Sequence, residues 1–341
     1  ILISAVSNPL VGLCIGIFVT AVIQSSSATT STVVAVVAVN PAFFPYAIPI
    51  IIGANIGTSV TNIIVSLGHI THPPSFRRAF AGALVHDLFN VLAASLIFPA
   101  ECLIRIFTGR GFLERLGDST AEMVSGGEGF RFSTMDRIID PILVPAIELI
   151  ERSGGSIHGN APSFIMIIVG LMILFTALTL LTRSARKAIE GRVQKIIDRV
   201  LFRNAPISFI FGIGLTAFVQ SSSITTSIVI PLVGGGLLSI DQVFSYMLGA
   251  NIGTTITSLL AAMTAESTGD GSRFALAISF VHLYFNLIGI IIFYPLRRVP
   301  IYLARRIADY MSRNRKMAIV FLVVVFFIIP GSVILINWYL F

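Results

Sequence analysis

Gln24-Ser25-Ser26-Ser27, trailed by Thr29-Thr30-Ser31, returns later in the chain as Gln220-Ser221-Ser222-Ser223, trailed by Thr225-Thr226-Ser227. The two stretches stand 196 residues apart. The same offset carries Gly53-Ala54-Asn55-Ile56-Gly57-Thr58 onto Gly249-Ala250-Asn251-Ile252-Gly253-Thr254. It also pairs Arg77 with Arg273, His86 with His282, Phe89-Asn90 with Phe285-Asn286 and Pro99 with Pro295. A match without gaps over roughly eighty residues is the mark of internal duplication rather than of two unrelated Ser-rich loops.

Around these stretches the chain is apolar. Charged residues make up 11 % of it and hydrophobic residues 55 %, against about 25 % charged in soluble proteins. Residues 1–76 hold no Asp, Glu, Lys or Arg. Several apolar runs reach the ~20 residues that cross a ~30 Å hydrocarbon layer. The composition therefore predicts an all-α polytopic membrane protein. The net charge of +7 does not point to nucleic acid: seven basic residues fall in 183–203, seven in 297–316, and Arg77-Arg78 add two more. All lie at predicted membrane ends, as the positive-inside rule describes. Cys14 and Cys102 lie beside apolar runs in no pairing pattern, so neither a disulfide scaffold nor a transition-metal site is expected. The sequence starts at Ile1 rather than Met, without a leader pattern, which leaves its N-terminal boundary open.

The first unit is predicted over 1–99. Pro9 to Ile23 and Ala28 to Val39 are two helices too short to span, so 9–40 reads as a re-entrant hairpin with the serines at its tip. A crossing at 46–67 follows, broken at 53–58 by two glycines around Asn55, and then a crossing at 79–98. Residues 100–162, with nine acids and six arginines, read as an extracytoplasmic loop carrying one amphipathic piece near 137–152. A crossing at 163–182 and a basic interfacial helix at 184–203 complete the first half. The second unit, 204–296, repeats the plan: hairpin 206–238, broken helix 244–265 and helix 274–295. A basic segment and a last crossing at 317–338 occupy 297–341. One hairpin plus an odd number of crossings, three, inverts the second unit relative to the first. Inverted repeats with interrupted elements at matched positions describe a secondary transporter with its site between the repeats.

Serines that immediately precede a helix are suited to cap it, and its first N–H groups and positive dipole end face the tip. Two inverted tips would aim such ends at one mid-membrane volume, an arrangement fitted to a tetrahedral oxyanion. Ser25, Ser26, Ser27, Ser221, Ser222 and Ser223 are the expected anion ligands. No Lys or Arg lies in either hairpin or broken helix, so co-bound cations must offset the charge. Gln24, Asn55, Thr58, Gln220, Ser221, Asn251, Thr254 and Thr257 offer hard oxygens that suit Na+ rather than zinc or copper. Asp87, with Leu283 as its counterpart, is the one acid inside a predicted crossing of the repeats and is read as a further sodium ligand with Asn90. His86 and His282, being symmetric, read as hydrogen-bond struts. The serines lack the context of a hydrolase nucleophile and no phosphate-loop motif is present, so neither an enzyme nor an ATP-driven pump is expected.

These motifs, together with Phe76-Arg77-Arg78-Ala79-Phe80-Ala81-Gly82-Ala83-Leu84-Val85-His86-Asp87, resemble the type II sodium-dependent phosphate cotransporters. The resemblance covers about 1–100 and 204–296. It implies sodium-driven import of inorganic phosphate, preferably divalent, with no cofactor beyond co-transported Na+. In that family the QSSS serines are implicated in phosphate, and residues matching Gln220, Ser221, Thr254 and Thr257 in sodium. An aspartate at position 87 marks the electrogenic members. Residues 100–162 have neither an Asn-x-Ser/Thr site nor a second cysteine, unlike the animal linking loop, which suggests a bacterial member in the inner (cytoplasmic) membrane. The expected partners are phosphate, Na+ and the lipid bilayer, with the oligomeric state open between a monomer and a homodimer. Alternatives left standing are a sodium-coupled carrier of another oxyanion, such as sulfate or a dicarboxylate, and an anion channel.

Overall fold

The computed structural model describes residues 6–125, 172, 176, 204–265 and 270–340. Among these residues all regular structure is helical. The first set runs α1 Pro9–Ile23, α2 Ser26–Val39, a 3-10 turn Pro41–Phe43, α3 Phe44–Gly57, α4 Ser59–Leu67, α5 Pro73–Thr108 and α6 Phe112–Ser125. The second runs α7 Ala205–Val219, α8 Ser222–Gly234, α9 Ile240–Thr264, α10 Asp270–Phe293 and α11 Arg298–Arg313, followed by α12 Lys316–Val323, a π-helical turn Val324–Ile328 and α13 Ile329–Leu340. Among the described residues five stretches are long and apolar enough to cross a membrane: Pro41–Leu67, Pro73–Thr108, Ile240–Thr264, Asp270–Phe293 and Lys316–Tyr339. The protein is an all-α, multi-pass membrane protein. The crossing expected at 163–182, the basic helix at 184–203 and the amphipathic piece at 137–152 lie outside the described residues, apart from positions 172 and 176.

The hairpin boundaries follow local chemistry. Asn8 accepts the Leu10 N–H (3.0 Å) and Pro9 opens α1; Asn204 accepts the Ile207 N–H (3.1 Å) and Pro206 opens α7. Two expectations need correction. The helix expected to break within 244–265 is continuous from Ile240 to Thr264, and the break within 46–67 shrinks to Thr58. That residue keeps right-handed helical angles (φ −56°, ψ −31°) and donates its N–H to Ala54 O at 3.2 Å. The glycines do not unwind these helices because their role is contact.

A Cβ on Gly16 would lie 2.1 Å from Ile50 O, and one on Gly53 2.0 Å from Leu13 O; on Gly212 it would lie 2.2 Å from Tyr246 O, and on Gly249 2.0 Å from Phe209 O. Each pair repeats at the 196-residue offset. Small residues let backbones touch where lipid supplies no hydrophobic drive between helices. α1 thus lies directly on α3, and α7 on α9.

The third correction concerns 100–125, expected as loop and found as helix. α5 continues to Thr108, and α6 starts where Glu101 accepts the Leu113 and Glu114 N–H groups (2.7 and 3.3 Å). The charges that suggested a loop pair with one another: Arg105 with Glu114, and Arg110 with Glu114 (2.9 Å) and Asp118 (2.7 Å). Asp118 first, and then Glu114, hold the Arg110 guanidinium above its ordinary pKa. α6 buries Leu113, Gly117 and Ala121 at i, i+4 spacing against α10 of the second set. α11 packs reciprocally on α5 of the first set. Each of these surface helices is clasped by the arginine at the start of the helix it covers: Arg273–Asp118 (2.8 Å) and Arg77–Asp309 (3.0 Å). The two sets interlock through aromatic rings, with buried Phe89 edge-on to Phe244 (6.2 Å) and Phe44 tilted against the half-buried Phe274 (5.2 Å).

The last crossing packs on α1, where Phe327 meets Phe18 edge-on at 6.2 Å. Its π turn precedes Pro330, which has no N–H to give to the preceding turn.

Candidate functional site

Both serine stretches form the same tight turn. Gln24 (φ 57°, ψ 27°) and Gln220 (φ 54°, ψ 27°) are the only non-glycine residues with positive φ among the described residues. Left-handed geometry costs a side-chain-bearing residue roughly 1–3 kcal/mol and is retained where the surroundings over-determine it. Here each N–H closes the preceding helix on Thr20 O and Thr216 O at 2.7 Å. The chain then re-extends at Ser25 and Ser221, whose hydroxyls accept the Ala28 and Ile224 N–H groups (3.2 and 3.4 Å). Thr20 to Thr29 (3.0 Å) and Thr216 to Thr225 (2.8 Å) staple the helices across each turn.

The two tips meet. Ser26 Oγ lies 3.4 Å from Ser222 Oγ, and these are the first residues of α2 and α8. Two helix starts, each carrying about half a positive charge, therefore converge on one buried spot. Ser27 Oγ and Ser223 Oγ are buried beside it without a hydrogen-bond partner.

Below the tips the sets are cross-wired. His86 Nε2 lies 2.7 Å from Asn251 Oδ1, whose amide donates to Asn90 Oδ1 (2.8 Å); Asn90 in turn donates to Asn55 O (2.9 Å). Reciprocally, His282 Nε2 lies 3.3 Å from Asn55 Oδ1, which also accepts from Asn286 (3.2 Å). Because the Asn251 amide is spent on Asn90, its oxygen accepts from His86, which fixes the Nε2–H tautomer. A second reciprocal layer joins Thr226 to Asn62 (2.9 Å) and Ser258 to Thr30 (3.1 Å). Contacts in which i of one set meets j of the other, and j meets i, are those of a two-fold relation.

The sequence-predicted serines divide three ways. Ser25 and Ser221 are engaged as caps, Ser26 and Ser222 form the contact, and Ser27 and Ser223 are free to donate. Asn55 and Asn251 have their side-chain oxygens turned to histidine and Asn90 serves as the link between them, while Thr58 and Thr254 donate back to Ala54 O (2.9 Å) and Ala250 O (3.0 Å). Thr257 Oγ1 and Asp87 Oδ1 are buried and unpartnered; Asp87 faces the Ser59 hydroxyl. Gln24 is exposed and Gln220 half-buried. Two further unpartnered atoms, Thr61 Oγ1 and Asn286 Oδ1, escaped the sequence reading. The offset was signal enough for both, since it carries Thr61 onto Thr257 and Asn90 onto Asn286. Among the described residues no three His, Cys, Asp or Glu side chains gather as metal ligands.

The sequence profile of the Na+/Pi-cotransporter family matches residues 1–113 and 163–328, both tips included. The chain belongs to this family. It is 33 % identical over 389 residues to the sodium-dependent phosphate transport protein 2A of Ovis aries, an alignment covering 96 % of this chain and 61 % of that protein. To protein 2B of Bos taurus it is 33 % identical over 423 residues (98 % and 60 %), and to protein 2B of Homo sapiens 31 % over 410 residues (97 % and 59 %). The chain thus spans about 60 % of the length of these relatives. No solved structure matches it. The family match leaves out 114–162, most of α6 included.

Proposed function

We propose that this chain is a sodium-coupled symporter that carries inorganic phosphate, as HPO4(2−), into the cell across the inner membrane by alternating access. The observation that carries the reading is the Ser26–Ser222 contact, where two helix starts with no Lys or Arg in their own hairpins form a buried, donor-rich seat for an oxyanion. The relatives are sodium-dependent phosphate transport proteins, and phosphate is a cargo that such a seat suits. Ser26, Ser27, Ser222 and Ser223 donate to phosphate while Ser25 and Ser221 hold the turns. The Na+ ions take oxygens from Gln24, Asn55, Thr58, Asp87, Asn90, Gln220, Ser221, Asn251, Thr254 and Thr257. The two sets are inverted-topology repeats whose hairpins enter from opposite faces, and the cross-wired His–Asn layer is the interface about which they move.

Liposomes containing the purified full chain test this. An inward Na+ gradient drives uptake of radiolabelled phosphate, arsenate competes, and sulfate and succinate do not. Flux unchanged when K+ replaces Na+ would make the protein a channel, and sulfate competing as well as arsenate would reject phosphate as the cargo.

Transport in this reading is electrogenic through Asp87, whose Oδ1 lies buried without a partner. A carboxylate within a span that has a hydroxyl neighbour but no cation beside it is costly, and an extra cation relieves that cost. Asp87→Gly therefore retains part of the Na+-driven uptake but loses its response to an inside-negative potential. Potential-stimulated uptake as large as wild type would remove Asp87 from the cation path.

A further inference from the structure

Away from the serine tips, a cavity of about 200 Å3 opens beside the first turns of α5 and α9 and the outer side of α11, lined by Arg77, Arg78, Ala81, Ile240, Arg305 and Asp309. It is smaller than the ~300 Å3 at which pockets for drug-sized ligands begin, so it suits a small polar group. Arg77 bonds Asp309 (3.0 Å), Arg305 bonds Asp241 (2.9 Å), and Arg78 clamps Gly234 O with Nε and Nη2 (3.1 and 2.8 Å). A guanidinium has five N–H donors, so all three keep donors to spare. Three arginines stand here against two carboxylates, Asp309 in the lining and Asp241 on Arg305, which leaves an excess of one positive charge.

The reciprocal corner of the fold is different. There Arg273 and Arg110 converge on Asp118, and Arg105, Glu101 and Glu114 bring the local charge to zero. Among these paired side chains the positive excess lies at the Arg77–Arg305 corner.

That end also carries an interfacial surface. α11 buries Pro300, Ile301, Ala304, Ala308 and Met311, while Tyr302 and Tyr310 stay more than half exposed among its arginines. Arg306 stacks over Tyr302 and Arg297 over Tyr294. A helix of this pattern lies in the plane of the membrane surface, and basic pockets between spans at that level hold anionic head groups. Planar guanidinium forks match the oxygens of a phosphate group, which can take several N–H donors at once.

We infer that this cavity is a binding site for a phosphate group, presented by an anionic lipid head group or by free phosphate at the membrane surface, and that it works without sodium. Dioctanoyl-phosphatidylglycerol and radiolabelled inorganic phosphate are offered separately to the purified full chain in sodium-free potassium buffer, with dioctanoyl-phosphatidylcholine as the uncharged comparison. At least one anionic probe binds saturably. Its affinity falls about tenfold or more in Arg77→Gln/Arg305→Gln, as expected for lost charge-assisted bonds. It rises several-fold in Asp309→Asn, which removes the competing carboxylate, and a gain of this kind cannot come from misfolding. Phosphatidylglycerol binding alone assigns the site to lipid, and phosphate binding alone to the free ion. The inference is overturned if neither probe binds, if phosphatidylcholine binds equally well, if the double arginine variant binds as wild type does, or if binding requires Na+.

Discussion

Asn251→Ala is expected to lower Na+-driven phosphate uptake at least tenfold and to destabilise the folded chain by about 1–3 kcal/mol. The amide makes two buried bonds, both to α5 of the other set: His86 at 2.7 Å and Asn90 at 2.8 Å. Its removal strands both partners. In membrane proteins a side-chain hydrogen bond contributes on average ~0.6 and at most ~1.7 kcal/mol, and the two together give that range. The same 1–3 kcal/mol shifts a two-state conformational equilibrium by roughly fivefold to 150-fold, so transport suffers more than folding. Asn55→Ala, which removes longer bonds of 3.3 and 3.2 Å, is the milder member of the pair. Asn251→Asp keeps an acceptor for His86 but sets an oxygen against Asn90 Oδ1, and falls between wild type and Asn251→Ala. Uptake in liposomes and thermal unfolding of the purified protein read both effects. Wild-type behaviour of Asn251→Ala in both would show that the cross-wired layer does not hold the two sets together.

The layer also marks the limit of what could be read from the sequence. An offset of 196 residues identified which positions are equivalent, and Asn55/Asn251 and His86/His282 stood out as pairs. It could not tell whether each asparagine meets its own histidine or the other copy's, because both wirings leave the same sequence. The tips were legible: Gln-Ser-Ser-Ser between two short apolar runs permits little except a turn followed by a capped helix, and the Ser25 and Ser221 caps appear as expected. The surface helices were not. Acids and arginines between 100 and 125 look solvent-exposed in sequence, but Glu101, Glu114 and Asp118 are buried by pairing with backbone N–H groups and with arginines. The exchange of α6 and α11 between sets leaves no trace in composition. It follows from Arg77 and Arg273 each reaching an aspartate whose place in its own helix falls outside the 196-residue register.

The motif Gly-Ala-Asn-Ile-Gly-Thr misled for a physical reason that yields the second large effect. Glycine lowers helix propensity by about 1 kcal/mol relative to alanine, which is the basis on which a break was expected. In a membrane, however, the freed backbone would need new partners, and the missing side chain has a different use. Gly53 and Gly249 approach Leu13 O and Phe209 O so closely that a Cβ would stand 2.0 Å away from either. Backbone cannot yield as a flexible side chain does, so Gly53→Ala and Gly249→Ala must push α3 off α1 and α9 off α7. Overpacking ordinarily costs about 1–3 kcal/mol, and a clash with a main-chain carbonyl belongs at the upper end. Displacing either outer hairpin helix also displaces the tip it carries, so uptake in both variants falls to the level of empty liposomes. Gly214→Ala is the internal control: it lies in helical α7 with nothing within 4 Å of the new Cβ, and there alanine is neutral or stabilising by up to ~1 kcal/mol. If Gly53→Ala or Gly249→Ala transports as Gly214→Ala does, the direct backbone contact of α1 with α3 and of α7 with α9 does not exist in the working protein, and the position of the serine tips must be set by something else.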